Sequence, residues 1–352
     1  MESIIQGNKE FHYYQKNLYF KICFLIFIIL YGNLNLLIYS IKNKTFEYLI
    51  KEDINDFQVN KPINFDYYTF NFAVIRRGRS PVSGLFSDYK YFLGCVRDFL
   101  LKGFIPIIDL ESYKNSINGF KVDPLKGNPW EYYFNQPFNY KYSVVKRKAR
   151  NIKYFECTLI RIIPSPKIFF NKKSMNYWHD MAKKYIPIKK EIIKESNIIF
   201  NRIFNQSRNI LGVLLRGTDY ITRKPKGHAI PPKTEDVIKD AKILDNKYKY
   251  DWIFLATEDN IIRKNFLSAM GMKVKYLLNK ANITYNYSKK KFLAQNINFR
   301  ININYHKIYL LNIIILSKCL DFLGAITSGS IGVYMLTEGF RNSKVYNLGI
   351  YK

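Results

Sequence analysis

From Asn209 onward the chain alternates short apolar runs with segments of helical period, and that alternation limits the folds open to it more than any other feature. The runs NILGVLLR (209–216), DWIFLAT (251–257), MKVKYL (272–277), LDFLGAIT (320–327) and KVYNLG (344–349) read as strands. Between them, TEDVIKDAKIL (234–244), EDNIIRKNFLSAM (258–270), IYLLNIIILSKC (308–319) and GSIGVYMLTEGF (329–340) read as helices, the first capped by Thr234. Strands separated by helices cannot pair as hairpins. Four or five strands with crossover helices predict a doubly wound parallel sheet, an α/β fold.

A shorter unit of the same kind precedes it. NFAVIR (71–76) is strand-like, RGRSPVSG (77–84) is turn-rich, LFSDYKYFLGCVRDFLLKG (85–103) has helical apolar spacing, and FIPIIDL (104–110) is a second strand. The aromatic segment NPWEYYFNQPFNY (128–140) predicts an ordered loop or short helix, with core packing favoured over an aromatic lid on a ligand. A long helix from about Ser174 to Phe204, broken at Pro187, would join the two halves. At 352 residues the chain exceeds what one core usually organises. The expected division is an amino-terminal apolar segment and connector (1–69), a first α/β domain (70–185) and a second α/β domain (186–352).

Residues 20–41, FKICFLIFIILYGNLNLLIYSI, contain one charge and approach bilayer-spanning length, although Gly32, Asn33, Asn35 and Ser40 interrupt them. A membrane-associated helix is expected there, a buried or partner-bound helix being the alternative. Cys23, Cys95, Cys157 and Cys319 are widely spaced, which fits buried thiols in a reducing compartment rather than a disulfide framework or a zinc site. The expected location is therefore the membrane surface, with the catalytic part cytoplasmic. Net charge is +29, which suits a polyanion. The basic residues are scattered rather than striped and no compact reader motif accompanies them, so nucleic acid is the weakest of the partner classes.

Three of the predicted strands end on residues with chemistry to offer, and ligands of such sheets bind beyond carboxyl ends. Arg216, Gly217, Thr218 and Asp219 follow the first, Thr257, Glu258 and Asp259 the second, and Thr327, Ser328, Gly329 and Ser330 the third. A guanidinium forks onto two phosphate oxygens, a glycine admits close approach, and a helix N-terminus with hydroxyls favours an anion. Each has a plainer reading: a surface ion pair for Arg216, helix capping for the serines and threonine, dipole-favoured acids for Glu258 and Asp259. His228 lies in the Pro/Gly loop KPKGHAIPP (224–232) and is a further candidate contact. Walker, Gly-x-Gly-x-x-Gly, Gly-x-Ser-x-Gly, His-Glu-x-x-His and Asp-x-Asp motifs are missing from the sequence, so a metal-free, arginine-based diphosphate site with no cofactor is predicted.

GVLLRGTDY (212–220) resembles the Gly-Val-His-x-Arg-Arg-x-Asp motif of the fucosyltransferase superfamily, which includes α-1,6-fucosyltransferases, rhizobial nodulation fucosyltransferases and protein O-fucosyltransferases. His228-Ala229-Ile230, FLATEDN (254–260) and LSKCLDFLGAITSGSIG (316–332) resemble its later motifs, and residues 83–110 and 128–137 look like related bacterial glycosyltransferases. The resemblance implies a GT-B architecture, two Rossmann-like domains facing a cleft, and inverting, metal-independent transfer of fucose from GDP-fucose to a surface glycan. It places Arg216 on the diphosphate as the main catalytic group and Ser328 near a phosphate-contacting serine. Leu214, Gly217 and Lys224 depart from it, standing where the superfamily has a histidine, a second arginine and, in the α-1,6 enzymes, a glutamate proposed as base. Asp219, Glu258, Asp88 and Glu131 are the candidate proton acceptors. A non-catalytic nucleotide-sugar-binding or scaffold protein of the same fold is the alternative, followed by a basic nucleic-acid-binding protein.

Overall fold

A computed structural model describes residues 67–68, 70–77, 84–113, 115, 117, 127–157, 162–217, 219–277 and 303–352. All of them belong to the compact unit Gln58–Lys352. The apolar stretch 20–41, the expected connector up to residue 66 and most of the turn-rich 77–84 lie outside the described residues. Among the described residues, no helix is long and apolar enough to cross a membrane.

The protein is a mixed α/β structure built on two parallel sheets. The first contains β1 (Asn71–Arg77), β2 (Ile105–Ile108) and β3 (Asn151–Cys157), in the order β2-β1-β3. Helix α1 (Leu85–Leu101) makes the β1–β2 crossover, and α2 (Tyr142–Lys148) precedes β3. β1 is central: Val74 pairs with Ile107 on one side and Tyr154 on the other. Its Phe72–Ile75 run is fully buried, as a parallel strand covered on both faces requires. β3 lies in 141–173, where the sequence mixes strand-like apolar pieces with basic residues, and it is an edge strand whose Lys153, Tyr154 and Glu156 are exposed.

The 128–140 segment forms two short 3-10 turns, Pro129–Tyr132 and Pro137–Asn139. Its aromatics go into the core: Trp130, Phe134 and Tyr140 are wholly buried, and Tyr89 of α1 stacks on Trp130 with centroids 5.9 Å apart. The predicted joining helix is two helices, α3 (Lys172–Tyr185) and α4 (Lys190–Phe204), separated around Pro187.

The second sheet holds β4 (Ile210–Leu214), β5 (Trp252–Ala256), β6 (Val274–Lys275), β7 (Asp321–Ala325) and β8 (Asn342–Tyr346) in the order β6-β5-β4-β7-β8. Between them run α5 (Asp219–Arg223), α6 (Thr234–Tyr248), α7 (Asn260–Met270), α8 (Ile303–Leu316) and α9 (Ser328–Leu336). Every pairing is parallel, with Val213 of β4 opposite Leu255 and Leu323. Lys233, not Thr234, occupies the cap position of α6, and no side chain caps that helix; Thr234 is its first helical residue. One face of the sheet packs Leu211, Val213, Ile253 and Leu255 against Val237, Ile262 and Phe266 from α6 and α7. Full burial of each such aliphatic or aromatic side chain contributes about 1.5–3 kcal/mol. Helices α8 and α9 are apolar nearly all round because they have neighbours on several sides, α9 contacting α1, α3 and α8. Cys95 and Cys319 are buried.

At the amino end of β7, the wholly buried Asp321 accepts from Arg341 Nε at 3.2 Å, the Asn342 amide at 2.7 Å, Asn342 Nδ2 at 3.1 Å and the Tyr250 hydroxyl. Burial opposes its ionisation, but the hydrogen bonds from Arg341, Tyr250 and Asn342 outweigh that and hold the carboxyl below the ordinary aspartate value. A carboxyl depressed in the folded state contributes stability above its unfolded pKa and loses it as pH falls through the folded one. Asp321→Ala should therefore cost about 1.5–3 kcal/mol or more in urea unfolding at pH 7. The gap to wild type should narrow as pH drops below about 4.

Candidate functional site

The strand order decides where a ligand can enter. From β4 the chain winds outward through β5 and β6, then returns to add β7 and β8 on the opposite side of β4. The winding reverses between β4 and β7, and a crevice opens beyond the carboxyl ends at such a reversal. The segments leaving β4, β5 and β7 are the three loaded strand ends that the sequence singled out, and strand adjacency makes them neighbours.

Arg216 comes two residues after β4, half-buried, with its guanidinium carbon 4.0 Å from the centroid of the Tyr220 ring. The stack holds the guanidinium over an aromatic face. Gly217 is buried and donates its amide to Glu258 Oε1 at 3.2 Å. A Cβ at Gly217 would stand 2.4 Å from Asp259 Oδ2, so the loops after β4 and β5 meet too closely for any side chain there. Thr218 lies outside the described residues, and Asp219 opens α5.

The β5 loop is mostly structural. Thr257 Oγ1 accepts from the Asp259 amide at 3.1 Å, and Asp259 caps α7 through Ile261 N at 2.7 Å and Ile262 N at 3.2 Å. Asp259 is therefore a helix cap, and of the acids here Glu258 is the one that faces Gly217 and the β4 end. His228 is exposed and reaches the site through another residue: its Nδ1 is 3.0 Å from the Tyr220 hydroxyl. Its loop is pinned to the chain's last residues, Gly227 N donating to Tyr351 O at 2.8 Å and Tyr351 N to His228 O at 2.9 Å.

After β7, Thr327 caps α9 by accepting from Ser330 N at 3.1 Å. Ser330 is wholly buried and its hydroxyl donates inward to Ala325 O at 2.6 Å, so that hydroxyl braces the turn instead of facing a ligand as the sequence suggested. Ser328 is half-buried, and with Gly329 it forms the first turn of α9, where amides have no intrahelical acceptor and the positive end of the helix dipole lies.

Tyr309 of α8 joins this edge, and the sequence reading missed it. A Cβ on Gly329 would lie 2.5 Å from the Tyr309 hydroxyl and 3.3 Å from Leu214 Cδ2. Leu214, standing where the superfamily motif has histidine, is an apolar wall of the α9 N-terminus. Burial pushes the Tyr309 phenol up to about 12, with Arg216 lowering it and Glu258 and Tyr220 raising it. The only sequence signal was a tyrosine interrupting an apolar helical run.

Asp88 and Glu131 are elsewhere. Asp88 pairs with Arg77 at the end of β1, and Glu131 accepts from the Tyr142 amide at 2.9 Å and Gln136 Nε2 at 3.1 Å. Among the described residues, no group of three or more His, Cys, Asp or Glu could hold a metal ion. Asp259→Ala should cost about 0.5–2 kcal/mol by urea unfolding, as loss of a helix cap does, while changing ligand affinity little.

No family model matches the chain, and no curated protein matches it in sequence. Solved structures do. The α-1,6-fucosyltransferase NodZ co-crystallized with GDP aligns with a TM-score of 0.45 at 13% identity, covering 76% of this chain and 93% of that one. Fucosyltransferase NodZ from Bradyrhizobium gives 0.44 at 13% identity, covering 76% and 94%. POFUT1 in complex with GDP gives 0.42 at 10% identity, covering 78% and 98%.

Proposed function

We propose that this chain is a glycosyltransferase of GT-B type that moves fucose, or a related sugar, from GDP-fucose to a surface-glycan acceptor, with inversion and without a metal or cofactor. The observation that carries the reading is the placement of Arg216 and the N-terminus of α9 at the carboxyl ends of the neighbouring strands β4 and β7. Both favour an anion, and a nucleoside diphosphate brings its charge where the strand order leaves room for it. The choice of GDP-fucose rests on the resemblance of residues 212–220, 254–260 and 316–332 to the superfamily motifs.

In this mechanism an acceptor hydroxyl attacks the anomeric carbon as the diphosphate departs. Charge accumulates on the leaving oxygen, and donors fixed in advance stabilise it more in the transition state than in the ground state. Arg216 supplies a fork of N–H groups, and Ser328 and Gly329 supply amides at the positive end of α9. Glu258 is the carboxylate at this edge to receive the acceptor's proton; Asp259 is occupied in capping, and Asp88 and Glu131 serve the first sheet. Membrane association through residues 20–41 would bring the enzyme to a lipid-linked or envelope glycan.

The second reading, a nucleotide-sugar-binding protein without catalysis, draws on Leu214 and Gly217, which leave one guanidinium where the motif has two and no imidazole. One assay separates the two: sugar transfer or GDP-fucose hydrolysis, measured with melting temperature as the control on folding. Arg216→Ala should lose about 10²- to 10³-fold in turnover with little change in melting, and Arg216→Lys should recover little because an ammonium lacks the fork. Turnover by the alanine variant close to wild type would overturn the assignment; donor binding without any turnover in the wild type would favour the second reading.

A further inference from the structure

Tyr309 belongs to none of the three motif segments, yet its hydroxyl lies against the first turn of α9. Its ring packs edge-on against Phe86 of α1, with centroids 5.9 Å apart at 77°, which fixes where the phenol points. The hydroxyl extends over the first turn of α9, into the space a side chain at position 329 would need. Among the described residues this hydroxyl has no hydrogen-bond partner, whereas the neighbouring Thr327 and Ser330 hydroxyls are turned into the helix cap and the β7 carbonyl. A polar group held rigidly at a helix N-terminus and left without an acceptor there is placed to donate to a ligand.

We propose that the Tyr309 hydroxyl donates a hydrogen bond to a phosphate oxygen of the nucleoside diphosphate, beside Arg216 and the α9 amides. The inference rests on the reading of this crevice as a donor site and adds one residue to it. The phenol keeps its proton throughout: pushed up to about 12, it stays neutral at physiological pH and acts as a donor, not as the acceptor's base. No bond to tyrosine forms or breaks. As the bond between sugar and phosphate lengthens, the phosphate oxygen becomes more negative and the hydrogen bond strengthens.

The test is a GDP titration of the full chain with ligand-free melting as a parallel readout. Tyr309→Phe keeps the ring against Phe86 and removes only the oxygen. GDP affinity should fall roughly tenfold or more, the value of a hydrogen bond to a charged group, while ligand-free melting stays near wild type. Gly329→Ala supplies an independent check of the contact. Its methyl would collide with the tyrosine oxygen, so the single variant should melt earlier, and adding Tyr309→Phe should restore part of that loss. Unchanged GDP affinity in Tyr309→Phe, with wild type binding and Arg216→Ala weakened, would overturn this role alone. A folded wild type that binds no GDP would remove the donor site and this proposal together. Strictly additive melting effects of the Tyr309 and Gly329 variants would contradict the geometry on which it stands.

Discussion

The structure depends on the way β4 sits between β5 and β7 in an all-parallel sheet. Leu211 and Val213 are wholly buried, with partners on both sides, so the strand cannot shift register or turn over without exposing its core. Polar chemistry on such a strand is confined to its ends. Arg216 lies just beyond the last buried residue, Leu215, at the carboxyl end where the reversal of winding keeps crossover helices from closing the edge. A charge at the end of a buried strand is thus the consequence of topology: this is where a charge can face both the interior and a ligand.

The surroundings amplify that charge. Leu214, the apolar α8 and the nearly all-buried α9 form low-polarity walls, in which a guanidinium, a helix dipole and a phenol act with less screening than in water. The hydroxyls that could have competed for the same groups are already used, Thr327 in the cap and Ser330 on Ala325. The guanidinium and the α9 N-terminus are held by rigid elements, and small, fixed donor sets suit stabilisation of a developing negative charge.

Much of this was legible in the sequence. The second sheet announced itself because helical and strand periods alternate so regularly after Asn209, and the three loaded strand ends were identifiable before their adjacency was known. The break at Pro187 followed from the ring's removal of an amide donor. What stayed hidden depends on tertiary placement. The bounds of β3 stay blurred within the strand-like pieces of 141–173 because, as an edge strand, it carries charged residues that dilute its apolar pattern. Ser330 looked like a ligand because composition cannot say whether a hydroxyl turns in or out. Tyr309 reaches Gly329 only through the packing of α8 on α9, and the close approach of Gly217 to Asp259 joins two loops that are distant in sequence.

The most direct test of the central claim is a calorimetric titration of the wild-type chain with GDP in the presence of EDTA. The account predicts saturable binding at one site per chain without added metal, weakened by rising salt as expected of a guanidinium–diphosphate contact. Absence of binding by the folded protein, or binding that appears only on addition of a divalent cation, would contradict it.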